Sequence, residues 1–369
     1  MPTQHTVRAR DLGVPFEGRP GAFNAITDVD GVEVGHTTLI SGTGLLRVGN
    51  GPVRTGVTAI LPRGKTTTDS LFAGWFTLNG NGEMTGTTWI EESGCLDSPV
   101  LVTNTASVGT VRDAVIAWGV RNGRYANSWV LPVVAETYDG FLNDTNGFHV
   151  KPEHVFAALD GAAGGPVAEG NVGGGTGMVC FQFKGGIGTA SRVVELGGVS
   201  RTVGVLVQAN FGLRRQLRVC GAPIGQLLAD ESMPERESGS IIVIVATDAP
   251  MLPNQLKAVA RRAGLGVART GGIAGISSGD IFLAFSTANL QGADIRQDSA
   301  VTMLGLQSID AVFEATVQAT EEAIINAMVA AQTMTGINGR TVHALPHDAL
   351  RMVTRLDQSS REPPHGSAD

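Results

Sequence analysis

Glu237-Ser238-Gly239-Ser240-Ile241-Ile242-Val243-Ile244-Val245-Ala246-Thr247-Asp248 is the stretch from which the rest of the chain can be read. A polar, acidic loop (Asp230, Glu231, Glu235, Arg236, Glu237) runs here into six consecutive apolar residues. The run is short, mostly β-branched and bounded by turn residues, which predicts a strand buried on both faces. Gly239-Ser240 marks the seam where exposed loop enters core. A serine that opens a buried strand behind a flexible glycine is placed to act as a nucleophile. A cut between Gly239 and Ser240 would give Ser240 a free α-amine beside its own hydroxyl. That amine has an unperturbed pKa of about 7.7–8.0, close to what a general base needs. Activation of an N-terminal nucleophile by its own amine is a known mode of catalysis. Taken alone, the same residues also describe an ordinary strand entry.

The composition narrows the class. With 369 residues the chain is long enough for a large core. Its 50 glycines follow no collagen period, and 42% apolar content indicates a packed protein with many tight turns. The net charge of -7 is spread along the chain without a basic stripe, which argues against nucleic acid and anionic membrane surfaces as partners. Three well-separated cysteines (Cys95, Cys180, Cys220) without a CxxC pair suggest reduced thiols. No signal-peptide pattern opens the sequence and no apolar run approaches a membrane span, so a cytoplasmic location is expected.

Taken in order, residues 1 to about 22 read as a polar, extended arm, and Asn24 to His36 as a β-hairpin around Asp30-Gly31. Strands are expected at 57–61, 129–134 (with Pro132 at an edge or bulge), 178–183, 202–209, 241–246 and 280–286. Helices are expected at 107–118, 152–160, 253–263 with Gly264 as its stop, and 309–334. The tail from Gln358 is expected to be disordered. Strands outnumber long helices and no regular βα alternation appears. Layered α/β packing with mixed sheets is therefore favoured over a doubly wound parallel sheet. The loop before Ser240 reads as a processing site within one domain.

Several motifs fail their structural requirements. Gly64-Lys65-Thr66 ends like a phosphate loop but lacks its first glycine and a following helix, and Pro62 interrupts it. Gly173-Gly174-Gly175-Thr176-Gly177 lacks the dinucleotide frame, so close packing or donor-rich backbone near a reacting centre fits it better. No cofactor and no metal site is expected. Gly275-Ile276-Ser277-Ser278-Gly279 matches a nucleophile elbow, with His343 or His347 as a conceivable base, but a strand rather than a helix follows it.

Other residues carry more. Ser278 and Asp280, two apart in extended chain, project to one face and could orient a nucleophile or its amine. Glu136 and Tyr138 likewise share a face past a strand, where a carboxylate could take a substrate ammonium and a phenol could donate to an oxyanion. Asn210 at a strand end offers an amide NH₂ suited to an oxyanion hole. Each, taken singly, is more often a turn or capping residue.

Together these segments resemble the self-processing L-aminopeptidase/D-amidase/D-esterase family that includes the β-peptidyl aminopeptidases. The resemblance runs from about Gly21 to about Arg355. It is carried by Asn24-Ala25-Ile26-Thr27-Asp28-Val29, Val34-Gly35-His36, Asn79-Gly80-Asn81-Gly82-Glu83 and Glu136-Thr137-Tyr138-Asp139-Gly140. The glycine-rich run from Glu169 to Gly177, Gly239-Ser240 and Ser278-Gly279-Asp280-Ile281 carry it further. The resemblance implies a four-layer αββα sandwich similar to N-terminal-nucleophile hydrolases but of different connectivity. It also implies self-cleavage at Gly239-Ser240 into an α chain (1–239) and a β chain (240–369) that stay co-folded, assembled as homotetramers. Residue by residue, it makes Ser240 the nucleophile, Ser278 and Asp280 its supporting pair, Asn210 and Tyr138 the oxyanion donors, and Glu136 the group that binds the substrate's free amine. Asp280 stands where some relatives carry Glu, and the shorter acid alters reach and pKa. The expected substrates are short peptides, amides or esters with a free amino group, cleaved through an acyl-enzyme. Two competing readings are an acyltransferase similar to the ornithine acetyltransferases, whose new N-terminus is threonine, and an uncut small-molecule binding protein.

Overall fold

A computed structural model describes residues 7–67, 69–124, 129–228, 239–290, 293 and 298–351. The acidic loop before Gly239 and the tail expected to be disordered lie outside the described residues. The chain begins with β1 (Glu33–Ser41), β2 (Val53–Leu61), β3 (Leu71–Thr77) and α1 (Thr87–Ser93). Then follow β4 (Cys95–Leu96), β5 (Val100–Asn104), α2 (Val108–Arg121), β6 (Val133–Thr137) and α3 (Pro152–Asp160). A small hairpin, β7 (Val179–Cys180) and β8 (Phe183–Lys184), precedes the long strands β9 (Gly186–Leu196) and β10 (Val199–Asn210). The short α4 (Ile224–Leu227) leads toward β11 (Ser240–Thr247), α5 (Pro253–Arg269) and β12 (Ile281–Ser286). The chain ends with α6 (Ile309–Ala330) and the pair β13 (Met334–Thr335) and β14 (Thr341–Val342).

Among the described residues, besides the two-stranded pairs β7-β8 and β13-β14, the strands form two large sheets, one of four in the order β1-β2-β5-β6 and one of six in the order β4-β3-β12-β11-β10-β9. The period of two along β11 explains how they stack. Ile242, Ile244 and Ala246 meet Ile60, Val100, Val102, Val133 and Ala135 between the sheets. Ile241, Val243 and Val245 turn the other way, into a core with Leu256, Val259 and Ala263 of α5 and Ile324 and Met328 of α6. On the far side of the smaller sheet, Val57, Ala59 and Leu101 pack against Val111, Val115 and Trp118 of α2 and Val155 and Leu159 of α3. The layers are therefore α, β, β, α, the sandwich expected. All eight residues of β11 are buried. Each large aliphatic among them contributes about 1.5–3 kcal/mol on leaving water.

Several local expectations need correction. Asn24 to His36 is not a hairpin. Ile26–Asp28 is a 3-10 turn, closed by the Asp28 carboxylate accepting from the Phe23 and Ala25 N–H groups at 2.9 and 3.1 Å, and strand geometry begins only at Glu33. Residues 7–22 are not a free arm: Ala9, Val14 and Phe16 are buried, and Arg10 pairs with Glu322 of α6 at 2.8 Å. The strand expected at 129–134 begins after Pro132, whose missing N–H cannot join the ladder. The segment expected as one strand at 178–183 is the β7–β8 hairpin. Gly264 does not stop α5, which continues to Arg269. Close packing on α6 selects Gly266, where a Cβ would lie 2.6 Å from Thr320 Cβ, while a Cβ on Gly264 would meet the Phe282 ring of the sheet at 3.3 Å. The triple glycine at 173–175 is a packing element between the sheets: a Cβ on Gly174 would lie 2.1 Å from Gln208 Oε1.

Candidate active site

Strand register builds the site. β10 and β11 are antiparallel with Asn210 opposite Ser240, and β12 runs parallel to β11 with Ile281 beside Ile242. Asp280, the residue before β12, thus arrives beside the start of β11. β3 pairs with β12 through Thr77 opposite Ile281, which brings the turn after β3 to the same edge. From the smaller sheet, β6 delivers Glu136 and Tyr138 to this end.

Ser240 is buried, and its Oγ accepts the Gly279 N–H at 2.9 Å. Ser278 Oγ donates to Asp280 Oδ1 at 2.6 Å, so the spacing of two does place them together. The same oxygen accepts the Ile241 N–H at 3.2 Å, and Asn79 Nδ2 donates to Asp280 Oδ2 at 3.1 Å. Burial pushes the Asp280 carboxyl above the usual range, while these three hydrogen bonds oppose the shift.

The Asn210 side chain has a defined orientation. Its Oδ1 accepts the Val179 N–H at 2.7 Å, and its Nδ2 donates to the Tyr138 carbonyl at 2.9 Å. A backbone N–H can only donate and a carbonyl can only accept, so the amide cannot be flipped. Asn210 stands opposite Ser240 in the β10–β11 ladder. Val179 is itself held by a buried lysine: Lys184 Nζ donates to the carbonyls of Met178 (2.7 Å), Gly185 (2.8 Å) and Gly175 (3.3 Å). Burial without a carboxylate partner lowers this ammonium's pKa to about 7.

Glu136 is buried, with Oε1 accepting the Glu83 N–H at 3.0 Å and Oε2 accepting the Thr105 hydroxyl. Burial is the main cause that raises its pKa; Glu83 and Asp139 push the same way, and the two donors pull against them. Tyr138 does not share this environment. It is 53% exposed, and the part of it tied to Asn210 is its carbonyl rather than its phenol.

Ser277 does not form an elbow, since strand β12 and not a helix follows; its carbonyl accepts Asn81 Nδ2 at 2.7 Å. His347 Nε2 lies 3.0 Å from the Val329 carbonyl, and the His343 carbonyl accepts the Lys184 N–H at 2.8 Å. No group of three His, Cys, Asp or Glu among the described residues could hold a metal ion. Asn79, Thr105 and Lys184 were not legible as site residues. Asn79 stands in a turn-like Asn-Gly-Asn-Gly run that gives no local sign of its partner.

A serine opening a central strand of an αββα sandwich, with a hydroxyl–carboxylate pair beside it, defines a serine hydrolase of the N-terminal-nucleophile type. The comparisons with known proteins make the class specific. The model of peptidase family S58 matches residues 24–342. Two proteins named beta-peptidyl aminopeptidase BapA are similar to this chain. That of Sphingosinicella microcystinivorans is 57% identical over 364 residues, 94% of this chain and 92% of that protein. That of Sphingosinicella xenopeptidilytica is 50% identical over 368 residues, 94% and 91% of the two. Among solved structures, the L-aminopeptidase D-Ala-esterase/amidase of Ochrobactrum anthropi, described as a new variant among the Ntn hydrolase fold, superposes with a TM-score of 0.89. It is 49% identical, covering 95% of this chain and 99% of that one. The chain belongs to peptidase family S58, and it is a serine hydrolase of the aminopeptidase kind.

Among the described residues, no helix is long and apolar enough to cross a membrane.

Proposed function

We propose that the protein cuts its own Gly239–Ser240 bond and then removes N-terminal residues from short peptides, amides or esters through an acyl-enzyme on Ser240. The observation that carries this reading is the buried Ser240 hydroxyl at the start of β11, which accepts the N–H of Gly279, the residue between the hydrogen-bonded Ser278 and Asp280, and stands opposite Asn210 in the ladder. In the precursor, Ser240 Oγ attacks the Gly239 carbonyl. Its proton passes to the departing Ser240 nitrogen, and an ester replaces the amide. Water then hydrolyses the ester, leaving a Gly239 carboxylate and a free Ser240 amine, so that 1–239 and 240–369 become separate chains of one folded unit.

In the mature enzyme the Ser240 amine, oriented by Ser278 and Asp280, takes the hydroxyl proton as Oγ attacks the substrate carbonyl. The leaving amine receives that proton, and water resolves the acyl-enzyme by the same steps. Asn210 supplies a donor to the oxyanion, with the Tyr138 phenol as a second donor from the mouth of the site. Glu136 receives the substrate ammonium, and its position behind the glycine pair Gly82 and Gly279 supports this role: a Cβ on Gly82 would lie 2.9 Å from Gly279 Cα and 3.4 Å from Glu136 Oε1. The names of the relatives support β-amino acid residues and D-alanine esters or amides as substrates to test first.

Association into homotetramers belongs to the same reading. Exposed apolar side chains such as Leu45 and Ile276 support it, and light scattering tests it. Three cysteines without a disulfide are in keeping with a cytoplasmic location. The deciding experiment is the intact mass of the protein beside its Ser240→Ala variant. Two fragments split after Gly239, against one uncut chain in the variant, are expected. A single chain in both removes Ser240 as a self-generated N-terminal nucleophile.

A further inference from the structure

We propose that Asn79 is a positioning residue of this site, which grips Asp280 at main chain and carboxylate and holds it in the orientation the Ser278–Ser240 arrangement needs. The inference rests on the reading of Asp280 as the supporting acid. Asn79 follows β3, whose ladder with β12 ends at Thr77 opposite Ile281. One step beyond that ladder the Leu78 N–H donates to the Asp280 carbonyl at 2.9 Å, and at the next residue the Asn79 side chain takes over the pairing. Its Oδ1 accepts the Asp280 N–H at 2.6 Å, while its Nδ2 donates to Asp280 Oδ2 at 3.1 Å and to the Gly275 carbonyl at 3.3 Å. The amide is again fixed by an obligate donor and an obligate acceptor. Asn81 continues the contact, its Nδ2 donating to the Ser277 carbonyl at 2.7 Å and its N–H to the Ser278 carbonyl at 3.3 Å.

The consequence lies in how the carboxylate is satisfied. Asp280 Oδ1 has two donors, Ser278 Oγ and the Ile241 N–H; Oδ2 has Asn79. Because Ser278 gives its hydrogen to Asp280, its lone pairs face outward to accept from the Ser240 amine. Asp280 is buried, so an Oδ2 stripped of Asn79 cannot turn to bulk water. A proton is the cheapest replacement. A protonated Asp280 no longer presents full negative charge to Ser278 or to the amine. The charged groups on the packed elements are Glu83 and Glu136, across the contact of Gly82 with Gly279, and, after the cut, the Ser240 amine itself. Neither carboxylate can substitute for a lost donor.

The test compares mature wild type, Asn79→Asp, Asn79→Ala and Asp280→Asn by kcat/KM against pH, on an aminoacyl anilide that the wild type hydrolyses. Asn79→Asp keeps size and an acceptor for the Asp280 N–H, removes the donor to Oδ2 and to the Gly275 carbonyl, and sets a second carboxylate against Asp280, whereas Asn79→Ala removes the same donors without added charge. Both Asn79 variants are expected to move the acid limb upward by about one pH unit or more, lowering turnover at a fixed acidic pH roughly tenfold. KM is expected to change little, and Asn79→Asp is expected to lose stability as the pH rises and its added carboxylate ionises beside Asp280, a loss Asn79→Ala does not share. Where a variant matures slowly, the pH dependence of its self-cleavage supplies the same readout. An unmoved acid limb in both Asn79 variants overturns the inference and leaves Asn79 a loop staple. An Asp280→Asn enzyme with wild-type turnover and profile instead overturns the role of Asp280, on which the inference depends.

Discussion

A Cβ placed on Gly239 would lie 1.8 Å from the backbone oxygen of Asn210, its neighbour across the β10–β11 edge. Gly239 also holds φ at +154°, a region closed to most side chains. Glycine before Ser240 is thus demanded twice, by contact and by backbone. Gly239→Ala is expected to strain the junction by about 1–3 kcal/mol and to leave most of the chain uncut. Normal accumulation of the 1–239 fragment on a denaturing gel would show that the junction tolerates a side chain.

Asn210→Ala removes the side-chain amide proposed as oxyanion donor, on the residue opposite Ser240 in the ladder. Loss of one oxyanion donor costs about 2.7–4 kcal/mol of barrier, a drop of roughly 10²–10³ in kcat. Self-cleavage and substrate hydrolysis are both expected to slow, since each passes through an oxyanion at the same serine. Steady-state kinetics with near-normal kcat would take Asn210 out of that role.

Glu136 binds an ammonium only when ionised, and its burial raises its pKa. The kcat/KM for free-amine substrates is therefore expected to fall on the acid side at a pH above the ordinary glutamate value of about 4.3. Glu136→Gln is expected to weaken free-amine substrates far more than N-blocked esters and to erase this contribution to the pH profile. Equal losses on the two substrate classes would exclude recognition of the amine.

His36 lies away from this chemistry but sets acid stability. Its Nδ1 shares a hydrogen bond of 2.9 Å with Thr58 Oγ1, and its Nε2 is sealed from water with no partner among the described residues. Although the residue keeps an exposed edge, both nitrogens are withdrawn from solvent, and burial lowers the pKa to about 4. The folded state therefore binds a proton less readily than the unfolded chain, whose histidine titrates near 6.5. The stability involved is complete above pH 6.5 and is lost as the pH falls toward 4, up to about 3 kcal/mol. Melting temperatures between pH 7 and 4 are expected to fall less steeply in His36→Gln; parallel curves would exclude His36 as the cause.

The central strand with its serine was legible because burial on both faces leaves a local mark, a β-branched run bounded by turn residues. The Ser278–Asp280 pair was legible for the same reason, since a spacing of two in extended chain fixes a common side. The four layers required the resemblance, because stacking depends on which faces meet. The hairpin misread at 24–36 and the helix cut short at Gly264 mark where local rules failed. In the first, the Asp28 side chain captured backbone donors; in the second, Gly264 lies inside α5 over Phe282 of β12 and Leu78 just past β3, partners that its local sequence does not reveal. Asn79 meets Asp280 across 201 positions, and Thr105 meets Glu136 across 31. Val179 fixes the amide of Asn210 only because the Lys184 ammonium gathers the carbonyls around it. Sequence by itself determined where a serine enters the core, since periodicity and turn chemistry act between near neighbours. Which groups orient that serine was decided by tertiary structure alone, because a hydrogen bond depends on distance in space and leaves no period in the chain.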